Sequence, residues 1–322
     1  MAIVMGLLIP SMFFTIAEKV VYKKMSGHIG ETIPETTGQS SNETEYLPEE
    51  DVNTISVLLK NGTVQKMNID AYLIGVILGE MPADFENEAL RAQTVVARTY
   101  ARKRQSTGDK HPNGAVCTES SCCQAYVSAT EYISGGGTQE AVNKVASAVY
   151  STGKQVLTYQ GSLIEATYFA CSGGRTEDAQ AVWGTDIPYL KSVDSPGEEH
   201  AVYHTDVMEI PRQKFTQLLQ INPQGAPSGW FGPVTYTAGG GVNSMEIAGR
   251  IFSGTELRQK LNLRSTAFVM VAMGDVIHIF TRGFGHRVGM SQYGAEAMAV
   301  KGHSYQEILA HYYPGTILKT DS

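Results

Sequence analysis

GEMPADFENEALRAQTVVARTYA, residues 79–101 of a 322-residue chain, sets Pro82 between two helical patterns. A residue that precedes proline is pushed out of the α region. The helix AYLIGVILGE, capped by Asp70, must therefore stop near Glu80, with Met81 extended. A second helix runs from about Asn87 to Arg104. On it Leu90, Val96, Ala97 and Tyr100 form an apolar stripe, while Arg91, Arg98 and Arg102 gather on another face at spacings of seven and four. Arg91 and Arg98 then stand two turns apart, roughly 10 Å, a span suited to an extended ligand. Glu80 sits at a helix C-terminus, where negative charge is disfavoured, among Ile77, Leu78 and Met81. A single Glu is usually solvated. In these surroundings its pKa would rise, which would keep a proton available for general acid chemistry.

Upstream, TISVLLKNGTVQKMNI reads as two strands joined at Asn61-Gly62, and the folded part begins near Val52. Residues 26–51 are acidic and polar with little aliphatic content, a flexible tether. The apolar run from Ala2 to Ala17, within residues 1–25, reads as a membrane anchor or signal-anchor. Its flanks oppose that orientation, because Lys19, Lys23 and Lys24 follow the run and no Lys or Arg precedes it. With 18% charged and 42% apolar residues the composition is globular, and 322 residues allow one elaborate domain or two smaller ones. The net charge of -7 and the absence of basic runs interleaved with aromatics argue against a nucleic-acid partner.

Downstream, residues 105–138 read as loop and hold three of the four cysteines. HPNGAVCTESSCCQAY spaces His111, Cys117 and Cys123 by six residues, with Cys122 adjacent. One His and two thiols are a reasonable Zn²⁺ set that leaves a position open for water or substrate. A disulfide from Cys117 to Cys123 or Cys171 is the competing reading. A helix, AVNKVASAVYSTGK, leads into strands QVLTYQG and SLIEATYFAC and the turn SGGRTE. Residues 199–255, rich in proline and glycine, suggest a second lobe or insertion; the strands AFVMVAMG and DVIHIFTRG follow. RGFGHRVGMSQYGA surrounds His286, Ser291, Gln292 and Tyr293 with glycines that let backbone approach a ligand, and the polar side chains suit sugar hydroxyls. No Asp or base is identifiable for Ser291, so a serine-hydrolase triad is not supported. Ser304 and Glu307 form a capping box before Pro314-Gly315. Strands and helices mix without strict alternation. The expected fold class is α+β, with mainly antiparallel sheets, several helices and two lobes forming a groove.

From about residue 52 to 319 the chain resembles the sporulation-protein D family, shared with amidase-enhancer proteins. The resemblance rests on five stretches in the family's order: GEMPADFENEALRAQTVVARTYA, CTESSCCQAY, SGGRTEDAQAVWGTDIPYLKSV, FSGTELRQKLNLRSTAF and GFGHRVGMSQYGAEAMAVKGHSYQEILAHYYPGT. It implies a membrane-anchored lytic transglycosylase with its catalytic domain outside the cytoplasm. Such an enzyme cleaves stem-peptide-free peptidoglycan strands during forespore engulfment, beside a partner cell-wall amidase and a membrane protein of the engulfment machinery. By the same resemblance Glu80 is the catalytic acid. Arg91, Arg98, Tyr189 and Lys191 match substrate positions, to which the reading above adds Gln292 and Tyr293. Cys117 and Cys123 match the Cys pattern, so zinc would be held by His111, Cys117 and Cys123, with Cys122 outside the set. Cys171 and Arg287 stand where the family often has Ser or His and Gly. A non-catalytic glycan-binding activator of an amidase, and a zinc-dependent hydrolase, are the alternative functions.

Overall fold

The computed structural model describes residues 53–321. The expected anchor (1–25) and tether (26–51) lie outside them. Strands β1 (Thr54–Leu58) and β2 (Val64–Asn68) form the expected antiparallel hairpin. Its turn is fixed by Asn61 Oδ1, which accepts from the Thr63 amide and hydroxyl.

Helix α1 (Ile69–Glu80) is capped by Asn68 rather than Asp70; the Asn68 side chain accepts from the amides of Asp70 and Ala71. The residue before the first helical turn reaches those orphan amides, while Asp70 already lies inside it. The helix stops at Met81, extended at φ -129 and ψ 147, as Pro82 requires. Helix α2 (Asn87–Thr107) runs three residues past the expected end, to Gly108 at φ 64. Its buried residues include Ala89, Ala92, Ala97 and Ala101, whose short side chains let neighbouring helices approach closely. Burial of Leu90, Val95 and Val96 contributes about 1.5–3 kcal/mol each as an upper estimate.

The stretch 105–138 holds more structure than a loop. Strand β3 (Val116–Cys117) pairs parallel with β1, and a short helix α3 (Ala129–Ser134) starts at a Ser128/Glu131 capping box. The box was legible as S-x-x-E but lacked a long apolar run behind it. Helix α4 (Gln139–Ser151) packs on α1 and α2. The second of the short strands expected here, over 162–171, is split: β4 (Gln155–Tyr159) pairs with β5 (Ser162–Leu163), and β6 (Tyr168–Phe169) belongs to another sheet. Helix α5 (Ala179–Trp183) follows the SGGRTE turn.

Next come β7 (Thr205–Pro211), α6 (Arg212–Leu219), β8 (Phe231–Tyr236), β9 (Val242–Ile247), β10 (Arg250–Ser253), α7 (Gly254–Leu261), β11 (Ala267–Met273) and β12 (Val276–Arg282). They form two antiparallel three-stranded sheets, β8-β9-β10 and β7-β12-β11. Between Ile210 and Ile279 these elements build their own apolar cluster around Phe215, Trp230, Phe252 and Leu257. The chain then returns to the first core with β13 (Met290–Ser291), α8 (Gln292–Val300), α9 (Tyr305–Tyr312) and β14 (Ile317–Thr320), the last pairing with β4. The Ser304/Glu307 capping box opens α9 as expected. The sheets are small and mostly antiparallel, so the fold is mixed α+β. No helix among the described residues is long and apolar enough to cross a membrane.

Candidate active site and thiol cluster

Three chain crossings bring the distant motifs together. Strand β13 pairs in parallel with β6, placing Met290 opposite Tyr168 and Ser291 opposite Phe169. Single bridges join Cys171 to Phe284 and Glu177 to Val288, knitting the SGGRTE turn to the GFGHRVGM segment. On the other side, the loop after Cys123 lies against α1. Val127 donates to Gly75 O at 3.0 Å, and a Cβ on Gly75 would fall 2.3 Å from the Tyr126 ring. Only glycine permits this approach.

Between these walls lies a groove of about 1140 Å³, lined by Glu80, Tyr168, His286, Gln292 and Tyr293 and by the loop through Cys122 and Cys123. Glu80 Oε1 accepts from the Ala125 amide at 2.6 Å. Burial raises the Glu80 pKa, and the bonds from Ala125 and the Tyr168 hydroxyl oppose that rise only in part. The Tyr168 hydroxyl stands 3.3 Å from Gln124 Oε1, and Gln124 Nε2 donates to Tyr72 at 3.1 Å, so a chain of polar side chains backs the carboxyl. The arrangement can keep a carboxylic acid neutral and aimed into a groove.

Gln292 and Tyr293 share the groove with Glu80. Gln292 Nε2 is buried with no hydrogen-bond partner among the described residues. Tyr293 packs edge-on against Phe85 at 5.1 Å and against Tyr203 at 6.2 Å. His286 lies 5.4 Å from the half-exposed Trp183 ring, and burial lowers its pKa to about 4. The Val288 amide donates to His286 Nδ1 at 3.1 Å, so in the neutral ring the proton sits on Nε2. Tyr168 and the Ala125 amide are the groups that sequence reasoning did not place at the site. Tyr168 sat in a strand without a motif, and a backbone amide leaves no trace in side-chain identity.

The other expected substrate residues do not line this groove. Arg98 is 1% exposed and faces inward. It donates to Thr152 Oγ1 at 3.0 Å and Gln155 O at 3.2 Å, and lies 3.5 Å from Asp70. Arg91 bonds Ser151 at 2.9 Å and Glu88 at 2.6 Å. The arginine face of α2 thus meets the end of α4, where it answers that helix's carbonyl-rich terminus. Tyr189 is buried and accepts from the Glu165 amide at 3.0 Å, and Lys191 pairs with Asp186. The groove's lysines are Lys60 and Lys110.

His111, Cys117, Cys122 and Cys123 place one donor atom each within 4.8 Å of one another. Cys122, expected outside the set, has its Sγ 3.4 Å from His111 Nε2. All four cysteines are thiols, so neither proposed disulfide is formed. Burial pushes the Cys117 thiol up to about 12. Soft thiolates with one imidazole are a donor set that fits Zn²⁺. Cys171 is far from this chemistry: its Sγ donates to Glu198 Oε2 at 3.2 Å. The buried Glu198 carboxylate also accepts from Ser172, Gly173, Ser195 and Ser291. Ser291 is therefore engaged in a structural network. Arg287, at φ 65, occupies a conformation natural to glycine, and its side chain is a buried clamp on Glu177, 3.1 Å away.

The family model described as Stage II sporulation protein matches residues 60–159. The chain is 38% identical over 261 residues to Stage II sporulation protein D of Bacillus subtilis (strain 168), covering 80% of this chain and 76% of that protein. It is 35% identical over 329 residues to Stage II sporulation protein D of Bacillus amyloliquefaciens, covering 99% and 94%. It is also 29% identical over 305 residues to the Amidase enhancer of Bacillus subtilis (strain 168), covering 76% of this chain and 40% of that protein.

Proposed function

From the premise that the chain belongs to the stage II sporulation protein D family, we propose that it remodels the cell wall during sporulation as a peptidoglycan lytic transglycosylase. The observation that carries this reading is the Glu80 carboxyl, shielded in the groove and held by the Ala125 amide. Protonated Glu80 donates to the oxygen between N-acetylmuramic acid and N-acetylglucosamine, and that C–O bond breaks. The muramyl C6 hydroxyl then bonds to C1, its proton passes to the Glu80 carboxylate, and the product is a 1,6-anhydro ring. Ordinary glycoside hydrolysis calls on two carboxylates. Here the acid and the base are one group in turn, with Ala125 and Tyr168 stabilising the charged form between the two transfers.

The substrate is the stem-peptide-free strand. Gln292, Tyr293 and His286 supply donors and apolar faces for its sugars. Arg91 and Arg98 support the site by fixing α2 rather than by gripping glycan. Zinc is the proposed occupant of the thiol cluster, with His111, Cys117 and Cys123 among its ligands; bound there it supplies rigidity to the loop that carries Ala125. An N-terminal membrane anchor and an extracytoplasmic catalytic domain complete the proposal.

Digestion of denuded glycan tests it: wild type yields anhydromuramyl ends and Glu80→Gln yields none. A second reading, a glycan-binding activator of an amidase, draws support from the likeness to the Amidase enhancer. It predicts amidase stimulation that survives Glu80→Gln and no cleavage by the protein alone.

A further inference from the structure

We infer that Cys122 is the fourth ligand of the metal in the thiol cluster, so that three thiolates and one imidazole close the coordination sphere and leave no position for water. The inference rests on the zinc reading above and goes beyond its three ligands. Zn–S bonds of about 2.3 Å and Zn–N bonds of about 2.0–2.1 Å give tetrahedral edges of about 3.5–3.8 Å. Cys122 Sγ and His111 Nε2 already stand 3.4 Å apart, and all four donors lie within 4.8 Å of one another. A small contraction around an ion would complete the tetrahedron.

Adjacent cysteines seldom aim at one point, and the backbone here provides for it. The amides of Cys122 and Cys123 both donate to Glu119 O, at 3.0 and 2.8 Å, which winds the chain into a tight turn. The Cys122 carbonyl is held in turn by Lys110 Nζ and, at 3.4 Å, by the Tyr100 hydroxyl. Closed four-ligand sites are structural, whereas catalytic zinc keeps an open position. The placement agrees with a staple. Two residues beyond Cys123 the chain presents the Ala125 amide to Glu80, so the cluster anchors the loop that orients the acid.

The test is cobalt substitution of the full chain purified under reducing conditions, with metal content and absorption read together. Thiolate-to-cobalt charge-transfer absorbance should fall to about two thirds of wild type in Cys122→Ser, three thiolates becoming two. Cys171→Ser should leave it unchanged. If Cys122→Ser holds no metal, Cys122→His should restore one ion per chain with the reduced absorbance; failure of that restoration overturns the assignment, as does an unchanged spectrum in Cys122→Ser. Wild type that takes up neither zinc nor cobalt would instead sink the metal reading itself.

Discussion

Replacing Arg287 by Met removes the buried clamp that ties the GFGHRVGM segment to the SGGRTE turn and to the Gly239 carbonyl, while keeping most of the side-chain volume. Arg287 and Glu177 are 2% and 1% exposed, and the guanidinium also donates to Ser172 O at 2.8 Å, Arg175 O at 2.7 Å and Gly239 O at 2.8 Å. Loss of the cation leaves Glu177 with donors from Thr237 and Gly241 on one oxygen, while Oε2 already lacks a partner among the described residues. Breaking one side of a buried pair costs about 3–5 kcal/mol, because the remaining charge stays desolvated. The strained left-handed backbone at position 287 is unchanged by Met, so nothing offsets that loss. For a chain of this size the drop in Tm is on the order of 10 °C. Urea denaturation of Arg287→Met, Glu177→Gln and the double variant measures it. The double variant should recover roughly 1.5–3 kcal/mol relative to additive losses. A single-variant cost below about 1 kcal/mol, or strict additivity, would refute the clamp.

The raised pKa of Glu80 makes a second prediction about stability. Its folded-state pKa lies above the unfolded value of about 4.3. Its contribution is therefore fully present below that value and is lost as pH rises through the folded pKa. Glu80→Gln should be more stable than wild type at pH 8 and equal to it near pH 4; equal gaps at both pH values would show that the carboxyl is not desolvated. Gly75→Ala gains about 1 kcal/mol of helix propensity but drives the Tyr126 ring away. Overpacking of about 1–3 kcal/mol should outweigh the gain and pull Ala125 from Glu80, with turnover falling more than stability. Wild-type turnover in that variant would mean the approach is dispensable. Chelation should lower Tm and glycan cleavage together, as read by a thermal scan beside product analysis, and any divalent ion that restores the fold should restore cleavage.

What was legible in the sequence was local. Pro82 fixed the end of α1 at Glu80, with Met81 extended, and Asn61-Gly62 placed the hairpin, because each acts on backbone within two residues. The arginine face of α2 was seen as a face, but its partner was not visible. Thr152 and the α4 carbonyls are more than fifty residues away and turn a ligand-sized span of cations inward. Arg287 was noticed as a departure from glycine. Its burial depends on Glu177 and the Gly239 carbonyl, neither of them near in sequence. The cysteine loop gave spacing without depth, and only the turn at Glu119 brings Cys122 round to His111. Tyr168 stayed hidden because a two-residue strand has no period to read.

The central claim is that one carboxyl, Glu80, serves as acid and then as base while the substrate's own C6 hydroxyl closes the ring. Cleavage of denuded glycan in ¹⁸O-labelled water tests it most directly, by mass spectrometry of the new muramyl ends. The account predicts ends that carry no solvent oxygen, and none formed at all by Glu80→Gln. New ends that each carry one ¹⁸O would show that water attacks, and would contradict it.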